Sequence, residues 1–256
     1  MKLSNLSSAG FDSTTRVRAW MQQAPGSVLL AMRRLLPQTC TLCGSASGDS
    51  LLCVSCSAAL PSLVCACPVC ALPAPTWSAC GACLARPPPF SAAIAPWVYA
   101  FPIDRLVQAF KYGGRLALAE PFASALVAAI ERRARPPPDA LVALPLSTAR
   151  QRDRGFNQAG EIARRVAQAL GRPLVPGLAR TRDSPPQAAL AWADRARNVR
   201  GAFLANRSLA GRRIAIVDDV MTTGATLAAA ARAARRAGAL EVEVWVVART
   251  LPPAAG

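Results

Sequence analysis

Eight cysteines set in two copies of one spacing constrain this chain more than any other feature. Cys40, Cys43, Cys53 and Cys56 are followed, 27 positions on, by Cys67, Cys70, Cys80 and Cys83, so the unit C-x2-C-x9-C-x2-C occurs twice with identical intervals. Two residues between thiolates let one tight turn offer both sulfurs to a single ion, and two such turns complete a tetrahedral S4 site. The chain contains no histidine, so both sites would be all-cysteine. Structural zinc is the first expectation for such closed sites, with an iron–sulfur cluster as the alternative. The simplest assignment groups 40/43/53/56 and 67/70/80/83, while a crossed arrangement fits the same spacing. Cys65 stands outside the repeat and is expected to be a buried or spare thiol. Disulfides of a secreted domain are the competing explanation. They find little support in the N-terminus, where MKLSNLSSAGFDSTTRVRAW is polar and the apolar SVLLAM is too short and too far in for a signal peptide.

The missing histidine also removes Ser/His/Asp and Cys/His nucleophilic arrangements. Chemistry must run on carboxylates, arginines, backbone amides or thiols. A formal charge of +16, from 30 basic and 14 acidic residues, suits a phosphate-rich ligand or nucleic acid. It equally suits a chain rich in alanine, arginine and proline for compositional reasons, since only Lys2 and Lys111 are lysines. The uncharged stretch over residues 87–103 carries Pro87, Pro88, Pro89, Pro96 and Pro102 and is no membrane helix. A cytoplasmic protein without membrane insertion is expected. The expected organisation is a disordered tail and short helix over 1–38, the paired ribbons over 39–84, a stiff linker at 85–90 (ARPPPF), and an α/β domain over 91–252.

Within that domain apolar runs alternate with helical stretches. Strands are expected in SAAIAPWVYA, DALVALPLS, RPLVPGL, RRIAIVDDV and EVEVWVVART; helices in IDRLVQAFKY, LAEPFASALVAAIERRA, NQAGEIARRVAQALG and TLAAAARAARRAG. The alternation implies a parallel sheet flanked by helices, with ligands at the carboxyl ends of strands. IAIVDDVMTTGATL, residues 214–227, marks such an end. A turn of small residues running into a helix aims backbone N–H groups and the positive helix end at one point, which makes an anion cradle. Thr222, Thr223 and Thr226 add hydroxyls, and Gly224 permits close approach beside Ala225. Asp218 and Asp219 would repel a phosphate, so they require sugar hydroxyls or a divalent metal to hold. A phosphate and vicinal hydroxyls on one ligand describe a ribose 5-phosphate. An ordinary strand-to-helix connection with a threonine cap is the plainer alternative.

The string resembles the phosphoribosyl diphosphate (PRPP) binding motif of type I phosphoribosyltransferases. The resemblance implies that Asp218 and Asp219 contact the ribose 2- and 3-hydroxyls, and that Thr222, Thr223, Gly224, Ala225 and Thr226 hold the 5-phosphate. It puts LPLS, with Pro145, Leu146 and Ser147, where the family's pyrophosphate loop follows an earlier strand. RQRDRGFNQAGEIA (150–163), RARNVRGAF (195–203), FKYGGR and the double ribbon together look like the ComF family, from about residue 35 onward. Members are associated with natural competence and uptake of single-stranded DNA. They are often labelled amidophosphoribosyltransferases by analogy, a label that implies a glutamine-amide domain for which this chain has neither room nor motif.

The implied reaction breaks the C1–oxygen bond of PRPP and releases pyrophosphate, with Mg2+ bridging ribose hydroxyls and pyrophosphate and arginines stabilising the leaving group. Candidates in the chain are Lys111, Arg150, Arg152 and Arg154, the arginines expected in a loop ahead of a helix, and Arg197. Phe156 and Trp192 could stack on a base or belong to the core. The acceptor would be chosen by a hood over residues 178–205 or by the ribbons. Three functions fit: a transferase, a non-catalytic PRPP sensor, and a single-stranded DNA-binding protein using ribbons and arginines.

Overall fold

The computed structural model describes residues 38–133, 135–181 and 201–252. The expected N-terminal tail and short helix lie outside these, as do Trp192 and Arg197. The chain forms two compact units that meet between Ser57 and Ala58. In the first, β1 (Gln38–Thr39) and β2 (Ala46–Gly48) pair antiparallel, and helix α1 (Val54–Ala58) follows. Their turns gather Cys40, Cys43, Cys53 and Cys56.

The second unit holds the other cysteine tetrad together with the sheet. It runs through helix α2 (Gly81–Ala85), strands β3 (Ala92–Ile94) and β4 (Trp97–Val98), helices α3 (Ile103–Tyr112) and α4 (Ala119–Glu131), and strand β5 (Ala140–Ala143). Next come helices α5 (Thr148–Arg154) and α6 (Gln158–Ala169), strands β6 (Leu178–Arg180), β7 (Phe203–Ala205) and β8 (Arg213–Met221), helix α7 (Ala225–Arg236) and strand β9 (Glu241–Arg249). The main sheet has the order β3–β9–β8–β5, with β4 also beside β9, and every pairing is parallel. The proline-rich 85–90 stretch leads from α2 into β3 inside this unit, and Phe90 is part of the core.

Burial explains why β8 and β9 read as unbroken apolar runs. Ile214, Ala215, Ile216 and Val217 are all buried, as are Val242 and the stretch from Val244 to Ala248, because both faces of a central parallel strand are covered. Ile214 and Ile216 share one core cluster with Val242, Val244 and Val246 and with Leu227, Ala230, Ala231 and Ala234 of α7. The alanines let α7 lie close to the sheet. Helices α4 and α6 pack on each other and on the sheet.

Three elements differ from expectation. The strand expected over 91–100 splits into β3 and β4 around Ala95 and Pro96, since proline offers no N–H to the ladder. RPLVPGL contributes only a single parallel bridge, Leu174 beside Leu141, before Leu178 opens β6 in a separate antiparallel pair with β7. The arginine-rich segment expected as a loop is α5: the Ser147 side chain accepts from the Arg150 N–H, and Gly155, at φ 74°, ends the helix with its N–H on the Gln151 carbonyl. Among the described residues no helix is long and apolar enough to cross a membrane.

Candidate active site

Strands β5 and β8 lie side by side, with Ala143 opposite Val217, so the segments leaving their carboxyl ends converge. Between them is an open cavity of about 310 Å3. Asp218 and Asp219 line it, as do Thr222, Gly224, Ala225 and Thr226 from the turn after β8, Pro145 and Leu146 from the segment after β5, and Lys111, Arg150 and Arg154. Three sequence candidates stand apart from the lining. Ser147 is buried and caps α5, Thr223 uses its hydroxyl to accept from the Ala225 N–H at 3.2 Å, and Arg152 is exposed on α5. Phe156, half-buried, packs edge-to-face on Phe110 with ring centroids 5.6 Å apart.

The acidic pair is held in a specific electrostatic state. Asp219, only 7% exposed, pairs through Oδ1 with Lys111 Nζ at 2.9 Å. Its N–H donates to Asp218 Oδ1 at 2.8 Å. Burial, reinforced by the neighbouring Asp219 charge and only partly offset by Lys111, pushes the Asp218 carboxyl up to about 7. Burial works against the Lys111 charge, but the Asp219 carboxylate outweighs it and holds the ammonium above its ordinary value. Lys111 sits in the last turn of α3, which projects it across the cavity toward β8.

The turn after β8 takes its shape from Gly224, which precedes α7 at φ 78°. Only glycine takes that conformation without strain, although a Cβ would meet nothing nearer than Met221 Sδ at 3.6 Å. The first residues of α7, Ala225, Thr226 and Leu227, line the cavity at the positive end of the helix. On the other side, Asn157 ties the 144–147 segment to α6: its Nδ2 donates to the Leu144 carbonyl at 3.1 Å while its Oδ1 accepts from the Gly160 N–H at 3.3 Å. Arg154 is fixed by hydrogen bonds to Gln158 and to the Tyr112 hydroxyl, each 3.0 Å, with its guanidinium 4.9 Å from the Tyr112 ring centre.

Sequence reasoning missed Tyr99 and Arg180 in the cavity wall and Arg249 behind it. Nothing local singles them out, because each reaches the site through sheet neighbours or the β6–β7 pair. The buried Arg249 guanidinium donates to the carbonyls of Cys70 (2.9 Å), Met221 (3.0 Å), Thr250 (2.7 Å) and Thr222.

Both cysteine tetrads fit a tetrahedral ion. The ligand sulfurs of each lie within 4.8 Å of one another. The Cys43–Cys53 and Cys70–Cys80 sulfur separations are both 3.7 Å, against about 3.8 Å for the edge of a tetrahedron with zinc–sulfur bonds of about 2.3 Å. The groups are 40/43/53/56 and 67/70/80/83, the uncrossed arrangement.

Comparison with known proteins agrees with this anatomy. Residues 120–252 match the phosphoribosyl transferase domain model and residues 31–84 the double zinc ribbon domain model. The chain is 34% identical over 224 residues to the DNA utilization protein YhgH of Escherichia coli strain K12, covering 84% of this chain and 99% of that protein. It is 31% identical over 178 residues to competence protein F of Haemophilus influenzae, covering 66% of this chain and 78% of the relative. A 39-residue stretch is 62% identical to adenine phosphoribosyltransferase of Mycobacterium avium, 15% of this chain and 22% of that enzyme. Among solved structures, the glutamine PRPP amidotransferase of B. subtilis superposes with a TM-score of 0.38 at 23% identity, over 54% of this chain and 30% of that one. The two domain-model matches and the similarity to YhgH and competence protein F establish that the chain belongs to the ComF family, with a phosphoribosyltransferase-type domain behind a double zinc ribbon.

Proposed function

We propose that this protein binds PRPP with Mg2+ at the carboxyl end of β8 and transfers the phosphoribosyl group to an acceptor, releasing pyrophosphate. The supporting observation is that an acidic pair and a threonine/glycine turn at a helix start open on one cavity. In this reading the 222–226 turn and the first amides of α7 hold the 5-phosphate. Asp218 and Asp219 accept hydrogen bonds from the ribose hydroxyls. The 144–147 segment with Arg150 and Arg154 receives the pyrophosphate. The C1–oxygen bond breaks with its electron pair leaving on pyrophosphate, and a lone pair of the acceptor forms the new bond to C1. Carboxylate oxygens suit a hard cation, and Mg2+, when bound, supplies charge neutralisation for the leaving group. Lys111, released from Asp219, moves its ammonium toward the same developing charge.

Isothermal titration with PRPP, with and without Mg2+, tests the reading on the wild type and on Asp218→Asn. Mg2+-dependent binding that the substitution abolishes is expected; a folded, zinc-loaded wild type that binds no PRPP refutes it. Pyrophosphate release on an acceptor separates a transferase from a non-catalytic PRPP sensor.

A second reading, binding of single-stranded DNA, draws on the names of the relatives and on Tyr112, 72% exposed beside Arg154 at the edge of the cavity. Exposed aromatic rings flanked by arginine are stacking platforms for unpaired bases. The two readings combine in a cytoplasmic protein acting with a competence DNA-uptake machinery. Steeply salt-dependent DNA binding that survives Asp218→Asn is the expected signature, and salt-independent or absent binding removes it.

A further inference from the structure

The two cysteine tetrads are copies in sequence but not in surroundings. The turn of the second tetrad is built into the carboxyl end of the sheet: the Ala93 N–H donates to the Pro68 carbonyl at 3.0 Å, and Ala71, at φ 53° and 1% exposed, lies in the same core cluster as Ile216 and Leu227. Within the turn the Ala71 N–H donates to the Cys67 carbonyl at 2.9 Å and the Cys67 N–H to that of Leu72 at 2.8 Å. Arg249 sits directly behind it, at the end of β9 and in register with Met221 at the end of β8. Its guanidinium hydrogen-bonds to both features. Nε donates to the Cys70 carbonyl at 2.9 Å, and Nη1 is directed at the carbonyls of Met221, Thr222 and Thr250. Met221 and Thr222 are where β8 gives way to the phosphate turn.

We infer that Arg249 is a positioning residue that clamps the 222–226 turn to the Cys67–Cys70 turn, so that the ion in the second tetrad sets the conformation, and with it the anion affinity, of the cradle. Four carbonyls from three chain segments converge on one buried cation. An ion held by Cys67, Cys70, Cys80 and Cys83 fixes the Cys70 carbonyl, the guanidinium follows it, and the Thr222 carbonyl follows the guanidinium. With the carbonyl edge of the turn fixed from behind, its N–H groups stay aimed into the cavity before any ligand arrives. The affinity part of this inference rests on the proposed phosphate site; the clamp itself does not.

Hydrogen exchange with mass-spectrometric readout on the zinc-loaded full chain tests it without a ligand. Arg249→Met, which keeps the length and loses the donors, should accelerate exchange in the peptide spanning 221–227 at least fivefold and leave α4 at wild-type rates. Cys83→Ser, which opens the second tetrad, should loosen the same peptide, and Cys43→Ser, the matching lesion in the first, should not. Arg249→Lys, which keeps a charge but cannot span the same carbonyls, covers the case in which the Met variant fails to fold and should give an intermediate effect. In the binding arm, the Kd for Mg2+ and PRPP should rise about tenfold in a folded Arg249 variant. Wild-type exchange over 221–227 in a folded Arg249 variant, or equal loosening by Cys43→Ser and Cys83→Ser, overturns the clamp. A wild type that binds no PRPP refutes the proposed function while the exchange result still decides the clamp.

Discussion

Asp218 carries an unusual burden for a strand residue: it sits beside a second carboxylate in a poorly solvated wall, and its pKa is driven up to about 7 by that burial. The sign of the consequence is fixed. In the unfolded chain the group ionises near the ordinary carboxylate value, about 3.9, so between there and about pH 7 the native state holds the extra proton. Stability therefore falls as pH rises through that window and stays low above it. Asp218→Asn is expected to raise the thermal midpoint of ligand-free protein at pH 8, by an amount that shrinks as pH falls toward 4, while abolishing PRPP binding; thermal melts across pH check both halves. Binding itself should require the carboxylate. Calorimetry in buffers of different ionisation enthalpy should then register proton release on PRPP binding at pH 6.5 and little at pH 8.5. Lys111 offers the complementary test, since Lys111→Met strips Asp219 of its 2.9 Å partner and should cost about 3 kcal/mol in urea unfolding, as removal of one half of a buried pair does. The acidic pair and Lys111 were legible from sequence because motif order and rarity marked them. Arg249 was not, because one arginine among many at a strand end gains meaning only from the carbonyls that tertiary folding brings around it.

At the scale of elements, the strands and helices that carry an apolar period were readable, and the punctuation between them was less so. The β8 strand, its turn and α7 follow from IAIVDDVMTTGATL directly, because a buried run, a glycine and an alanine-rich helix each have one natural reading. The arginine segment was misread because its charges hide a cap at Ser147 and a left-handed stop at Gly155. RPLVPGL failed as a strand because its two prolines leave few N–H groups for a ladder, and a single bridge at Leu174 results. The 144–147 segment depends on a residue whose role no spacing showed. Asn157 both caps α6 and satisfies the Leu144 carbonyl, so it fixes the segment from below. Asn157→Ala should cost about 1–2 kcal/mol, from a lost cap and an unsatisfied carbonyl. Asn157→Asp, which can still cap the helix but cannot donate to the Leu144 carbonyl, should recover stability yet weaken PRPP binding as much as Asn157→Ala does. Urea unfolding combined with titration separates the two effects; wild-type PRPP binding by Asn157→Asp would deny the segment its anchor.

At the scale of the whole molecule, an identical cysteine spacing is used in two different settings. The repeat made both tetrads legible and made 40/43/53/56 with 67/70/80/83 the simplest grouping, while a crossed arrangement fitted the same spacing until the structure gathered each set. What the repeat could not convey is that the second tetrad belongs to the same compact unit as the parallel sheet, while the first lies in the unit that ends at Ser57. Sequence periodicity reports what recurs, and the neighbours of a repeat do not recur. The difference should appear in stability. Metal analysis is expected to find two zinc ions per chain, and both Cys43→Ser and Cys83→Ser should lose one of them. Units with separate cores open separately, so Cys43→Ser should leave the main unfolding transition of the sheet where it is. Cys83 is buried in the larger unit, and its loss should lower that transition by about 5–10 °C, the shift that follows from about 2–3 kcal/mol in a domain near 200 residues. Equal shifts would mean that the ribbons act as one module, and the sheet would then owe its order to neither tetrad in particular.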